Sequence, residues 1–185
     1  MPYEEANRWR KGDQQVGWYQ ESLRDAAHQK EVDESLRKVV KVETMPWENS
    51  PQGRIKHIMN ERMDARFKTI DAYIQELPPG GRSGKHHHDA EEVLYVLEGR
   101  GYDLHWDPVV EVSDRYHWSW EAEPTRHEWE EGDCVYIPPK VIHQHHNADP
   151  DKPVRFISAT NRLYRALGWG DIEQVENAPD YQPGR

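Results

Sequence analysis

Residues 80–99, GGRSGKHHHDAEEVLYVLEG, and residues 132–147, GDCVYIPPKVIHQHHN, decide how this chain is read. In the first stretch His86 and His88 sit two apart in an extended context, so their side chains leave the same face of a strand. Glu92 shares that parity and opens the next extended run after a short turn at Asp89-Ala90. In the second stretch His143 lies just past a Pro-Pro turn, in another strand. Neutral imidazoles with a carboxylate suit Fe, Mn, Ni, Cu or Zn, and three or four such ligands with open positions make a catalytic site. A lone histidine reads as a surface or hydrogen-bonded core residue. Agreement among several spacings reverses that reading for the set.

These residues resemble the two cupin motifs. Gly80, His86, His88, Glu92 and Gly99 are spaced as in the first, and Gly132, Pro138, His143 and Asn147 as in the second. Lys140 departs from the pattern, standing where the family usually has glycine, and asks the turn to tolerate a side chain. With neighbouring strands the likeness extends over about residues 67–160. It implies an all-β fold, a jelly-roll β-barrel, with one divalent metal ion inside the wider end. It also implies His86, His88, Glu92 and His143 as the ligands. His87 and Glu91 have the opposite parity and are expected to face outward.

A finer likeness is to gentisate 1,2-dioxygenase and its relatives. It rests on Met45-Pro46-Trp47, on Gln75 to Gly80, on Leu97 to Gly101, and on His143-Gln144-His145-His146-Asn147. The resemblance implies ring-cleaving iron and makes His145 a candidate acid/base or substrate-orienting residue. Its parity with His143 independently turns His145 inward, where it also reads as a core histidine bonded to a carbonyl. Two departures stand out: that family is usually a two-cupin chain, and it generally lacks the glutamate supplied here by Glu92. A site of three histidines and one glutamate is similar to acireductone dioxygenase, quercetinase and oxalate decarboxylase. The expected function is therefore a mononuclear non-haem dioxygenase with Fe(II) ahead of Mn, Ni, Zn or Cu. Its substrate would be a phenolic or enolisable oxygenated small molecule, with Glu92 staying bound or acting as a base. The alternatives are a metal-dependent isomerase, decarboxylase or lyase, and a non-enzymatic small-molecule-binding cupin.

The 185 residues allow one domain with a core. Residues 1–53 read as a helical extension and linker, 54–160 as the barrel, and 161–185 as a short helix and tail. Within the extension, Trp18 to Val42 is expected to form one or two helices burying Leu23, Ala26, Ala27, Leu36 and Val39-Val40. Between the motifs, Trp106, Tyr102 and Arg126 are candidates to line a pocket for a planar anionic substrate, Arg126 pairing with a carboxylate. The other reading of this stretch is a two-stranded extension. Eight Trp and nine Tyr argue for a folded chain despite a net charge of −10. That acidity disfavours nucleic-acid and anionic-membrane partners. The single cysteine, Cys134, excludes an intrachain disulfide and suggests a reducing, cytoplasmic setting. Met1 to Glu5 shows no signal-peptide pattern. The partners expected are a small-molecule substrate and a second copy of the chain, as a homodimer.

Overall fold

Buried and exposed side chains alternate along the strands of the computed structural model, which describes Gly12 and residues 15–67, 69–170 and 172–183. Residues 1–5, read above as lacking a leader, lie outside the described residues, as do Asp171 and Arg185 of the expected tail. The chain divides into two compact units, Met1–Leu36 and Arg37–Arg185.

The first unit holds helix α1 (Trp18–Ser35), which buries none of its residues. The expected stripe is therefore corrected: Leu23 is 50% exposed, Ala26 and Ala27 are exposed, and Leu36 and Val39-Val40 follow the helix. Charges spread around α1 leave no apolar face wide enough to drive burial.

The second unit is a sandwich of antiparallel strands: β1 (Trp47–Ser50), β2 (Gly53–Met59), β3 (Ile70–Leu77), β4 (Lys85–His88), β5 (Glu92–Glu98), β6 (Arg100–Trp106), β7 (Pro108–Val112), β8 (Tyr116–Trp120), β9 (Thr125–Glu130), β10 (Cys134–Ile137), β11 (Ile142–Asn147), β12 (Val154–Asn161) and β13 (Ile172–Glu176), with a single helical turn α2 (Leu163–Ala166) before β13. One sheet runs β1-β2-β3-β12-β5-β10, the other β13-β4-β11-β6-β9, and β7-β8 form a separate hairpin. The fold is all-β with a cupin barrel, and the two-stranded extension between the motifs is present.

Two segments differ from their sequence reading. Trp47–Ser50, taken as linker, pairs with β2 around Pro51-Gln52. Ile172–Glu176, taken as a loose tail, pairs with β4 from Ile172↔His88 to Glu176↔Lys85. Both are edge strands rich in polar residues, so neither carries the apolar alternation that marks a strand in sequence.

Strand β5 shows how the site is positioned. Glu92, Leu94 and Val96 are buried while Val93, Tyr95 and Leu97 face out. The barrel interior is thereby divided lengthwise. Leu77, Leu94, Val96, Ile137, Val154 and Phe156 fill one part, and Glu92 begins a polar part populated by histidines. Asn147 anchors the end of β11. Its amide donates to the carbonyls of Leu77, Pro78 and Lys152, at 3.3, 2.9 and 2.8 Å, and its Oδ1 accepts from the Asp149 amide at 2.8 Å. Removing a buried donor strands these carbonyls. We expect Asn147→Ala to lower unfolding free energy in urea by about 1–3 kcal/mol. A loss below about 0.5 kcal/mol would show that water replaces the side chain.

Candidate metal centre

His86 and His88 project from β4, Glu92 from the start of β5 and His143 from β11, and their ligand atoms all lie within 4.8 Å of one another. Their exposures are 3, 4, 2 and 0%. His86 and His143 are direct cross-strand partners, which brings their rings to 4.1 Å. Sequence parity alone turns His88 to the same side.

The nitrogens are sorted by local hydrogen bonds. His88 Nδ1–H donates to the Ala90 carbonyl at 2.6 Å, and His143 Nδ1–H to the Val141 carbonyl at 2.9 Å. Fixing Nδ1 as the donor leaves Nε2 of each ring aimed at the cluster, the usual device for orienting a metal-binding imidazole. His88 Nε2 lies 2.7 Å from Glu92 Oε2, and His143 Nε2 stands 3.3 Å from the same oxygen. The other oxygen, Oε1, accepts from the Ser158 hydroxyl. Tyr73, opposite Ser158 across β3 and β12, hydrogen-bonds to that serine in turn.

Burial sets most of the protonation. It pushes His86 well below its ordinary value and lowers His143. Burial works against charge on His88 too, but the Glu92 carboxylate outweighs it and raises the pKa. Burial also opposes ionisation of Glu92, yet the imidazoles of His143 and His88 hold it well below the carboxylate range. His88 and Glu92 thus form a buried ion pair. Two further buried atoms, His143 Nε2 and His86 Nδ1, have no hydrogen-bond partner among the described residues. Orphaned polar atoms are costly in a closed interior. One divalent cation shared by the four side chains would satisfy the cluster, and three nitrogens with one carboxylate oxygen are suitable donors. The residues fit the metal.

His145 lies beside the cluster and is not part of it. It is fully buried, its ring 5.4 Å from that of His143. Its Nδ1 is 2.9 Å from Asp103 Oδ1, so its buried partner is a carboxylate and not a carbonyl. Trp129 Nε1 donates to the same oxygen at 2.8 Å. Burial lowers and the Asp103 charge raises the pKa of His145, with a net rise. His145 Nε2 has no hydrogen-bond partner among the described residues.

Tyr102, Trp106 and Arg126 are not brought to the cluster. Tyr102 and Trp106 alternate with the buried Gly101, Asp103 and His105 of β6 and occupy the opposite face. Tyr102 stacks on His146 at 4.7 Å, and Lys85 sits 3.9 Å over Trp106. Arg126 lies 3.6 Å over Tyr102 and pairs with Glu128. Strand parity is the reason. His87 and Glu91 also face away, His87 toward Glu173 and Glu91 toward the Tyr136 hydroxyl. Sequence reasoning missed Asp103, His105 and Ser158, although alternation along Gly101 to Trp106 marks the first two as inward.

Residues 30–163 match the auxin binding protein family. No curated protein matches the sequence. Among solved structures, the fold superposes on Lactobacillus farciminis oxalate decarboxylase in a formate complex, with TM-score 0.51 and 17% identity over 71% of this chain and 33% of that one. It also superposes on vicilin from hazelnut, Corylus avellana, with TM-score 0.52 and 19% identity over 74% and 36%. The chain spans about a third of the length of these proteins. At such identities the likeness is one of fold. No helix among the described residues is long and apolar enough to cross a membrane.

The protonation pattern fixes a pH dependence. His86 and His143 are held neutral, so unfolding takes up protons and metal-free stability falls as pH drops below their ordinary value of 6.5. Glu92 is held ionised, and its contribution is lost as pH falls on below 4.5. His88 has the opposite sign: its contribution is full below 6.5 and lost as pH rises through its raised folded value. Metal binding must displace that His88 proton. Titrating metal by calorimetry in buffers of different ionisation heat should therefore show proton release, with affinity rising above pH 6.5. Binding without proton release contradicts the assignment. Ser158→Ala should weaken metal affinity by about 10–100-fold, because it frees the Glu92 carboxylate to turn.

Proposed function

This chain belongs to the auxin binding protein family of cupins, and we propose that it is a metal-dependent enzyme in which His145 moves a proton to or from a small oxygenated substrate. The observation that carries this reading is the buried His145–Asp103 pair beside the four candidate ligands. A group that only binds a metal needs no second, partly satisfied charge pair next to it, and such pairs weigh against stability. General acid/base chemistry needs this arrangement: a base within reach of the reacting atoms and an oriented partner that stabilises its charged form.

A divalent cation held by His86, His88, Glu92 and His143 would supply Lewis acidity, lowering the pKa of a hydroxyl bound to it. His145, kept in its protonated form by Asp103, would donate the proton on its free Nε2 to the substrate, and the neutral ring would take one back there in the reverse direction. Asp103 keeps Nδ1 protonated and stabilises the imidazolium. Trp129 fixes Asp103 through its indole N–H. Gly101 makes room for this, since a Cβ there would collide with the Trp129 ring and the His146 carbonyl.

The finer reading is Fe(II) dioxygenase chemistry on a phenolic or enolisable compound, supported by the spacing of His143, His145 and Asn147 described above. The same proton step serves an oxygen-independent isomerase, lyase or decarboxylase. A second reading is a binding protein without turnover, favoured by the description of the matching family.

The test is turnover of a panel of phenols, diketones and small carboxylic acids by protein loaded with Fe(II), Mn(II) or Zn(II), in air and under argon. His145→Gln should keep its bound metal and lose about 10²–10⁴ in turnover. Equal rates under argon remove the dioxygenase reading. Saturable binding across the panel with no product under any metal leaves the binding protein standing.

A further inference from the structure

The two sheets end in strands β9 and β10. Between these edges lies a cleft of about 510 Å³ whose lining includes His105, Asp107, His127, Glu128, Asp133 and Cys134. Among the described residues no lysine or arginine lines it. Three carboxylates, two imidazoles and a thiol make a wall of metal-binding groups whose field attracts cations and repels carboxylate substrates. Glu128 is partly neutralised by Arg126 on the outer face, and Asp133 also accepts a backbone hydrogen bond from Glu130.

A second observation at the cleft's inner end points to the same ligand. His105 is 5% exposed, and among the described residues its Nε2 has no hydrogen-bond partner. Asp103 Oδ2 is buried and equally unpartnered. The two atoms stand 3.6 Å apart, too far for a hydrogen bond, yet close enough for both to touch one ion at ligand distances of about 2.0–2.2 Å. His127, at the cleft wall, lies 4.7 Å from His105 between ring centroids. His105 is the direct cross-strand partner of His143, their rings 6.3 Å apart. Donors are therefore spaced at short intervals from solvent to the four-residue cluster.

We propose that this cleft is a transit site for a divalent cation, which His127 and then His105 with Asp103 hand to the buried centre. The proposal rests on the metal reading above and adds the route by which the ion arrives. The centre itself is nearly closed, with no ligand side chain more than 4% exposed. A hydrated dication reaching it must exchange water for other donors along the way, and the cleft supplies them in sequence.

The experiment follows Co(II) uptake by metal-free protein in stopped flow through the ion's own ligand-field absorption, and release into excess chelator. Cys134 is the chain's single cysteine and is exposed, so alkylating it plugs the cleft selectively. Alkylated protein and, independently, His127→Ala should take up and release Co(II) about tenfold more slowly. Both should reach the endpoint of untreated protein, one ion per chain at the same Kd. Asp107→Asn should slow uptake and weaken its dependence on salt. Unchanged rates in the alkylated protein and in His127→Ala overturn the route. So does a lowered endpoint or affinity in His127→Ala, since that residue would then be a ligand. Untreated protein that takes up no Co(II) overturns the metal reading itself, and the route with it.

Discussion

The constraint on which this barrel turns is the burial of ionisable groups at one place. Three imidazoles and a carboxylate lie within 4.8 Å of one another, almost without solvent. Without a cation the cluster is held by one His88–Glu92 ion pair, while two other histidines are forced neutral. A buried pair of this kind gives little net stability, because desolvation offsets attraction. The remainder of the fold must therefore be strong enough to hold the cluster together. The apolar half of the interior, centred on Phe156, Leu94 and Val96, does so.

The junction between the halves is where chemistry becomes possible. Phe156 touches both worlds, its ring 5.1 Å from His145 and 6.0 Å from Trp129. Trp129 belongs to the apolar cluster yet donates to Asp103. A low-dielectric wall on one side of the His145–Asp103 pair strengthens their interaction. It also keeps Asp103 dependent on the few donors it has. The rigidity of the apolar half is thus transmitted to the His145–Asp103 pair by one indole.

What the sequence revealed and what it hid follow from range. His86, His88 and Glu92 are separated by a few residues, so strand parity was enough to turn them the same way, and His143 was tied to them by motif spacing. His145 was placed inward by the same parity. Its partner was not legible, because the register His145↔Asp103 joins strands far apart in sequence. Arg126 and Trp106 looked like pocket residues by chemical type, but their parity sends them to the outer face. The strand at Ile172–Glu176 was hidden for another reason. Its alternation is polar, and it exists because β4 offers it unpaired backbone groups.

That last strand bears directly on the candidate metal centre. β4 is four residues long and carries two of the four ligands, yet within the ladder it meets β11 only at His86↔His143. On its other side β13 pairs with all four of its residues. Gln174 ties this pairing to the β1–β2 turn, accepting from Gln52 at 2.6 Å while its own amide reaches the Glu176 carbonyl at 2.6 Å. Gly84, just before β4, is required for it, since a Cβ there would strike the Pro51 carbonyl and the Gln174 amide. The Lys140 turn holds the far end. Lys140 adopts φ 64°, donates its backbone N–H to the His88 carbonyl at 2.8 Å and pairs with Asp89. A side chain is tolerated at the family's usual glycine because it gains an anchor beside the ligand strand. The short strand bearing the first motif is thus clamped by residues from the second motif and by a C-terminal strand outside both. Geometry at His86 and His88 consequently depends on parts of the chain that contribute no ligand at all.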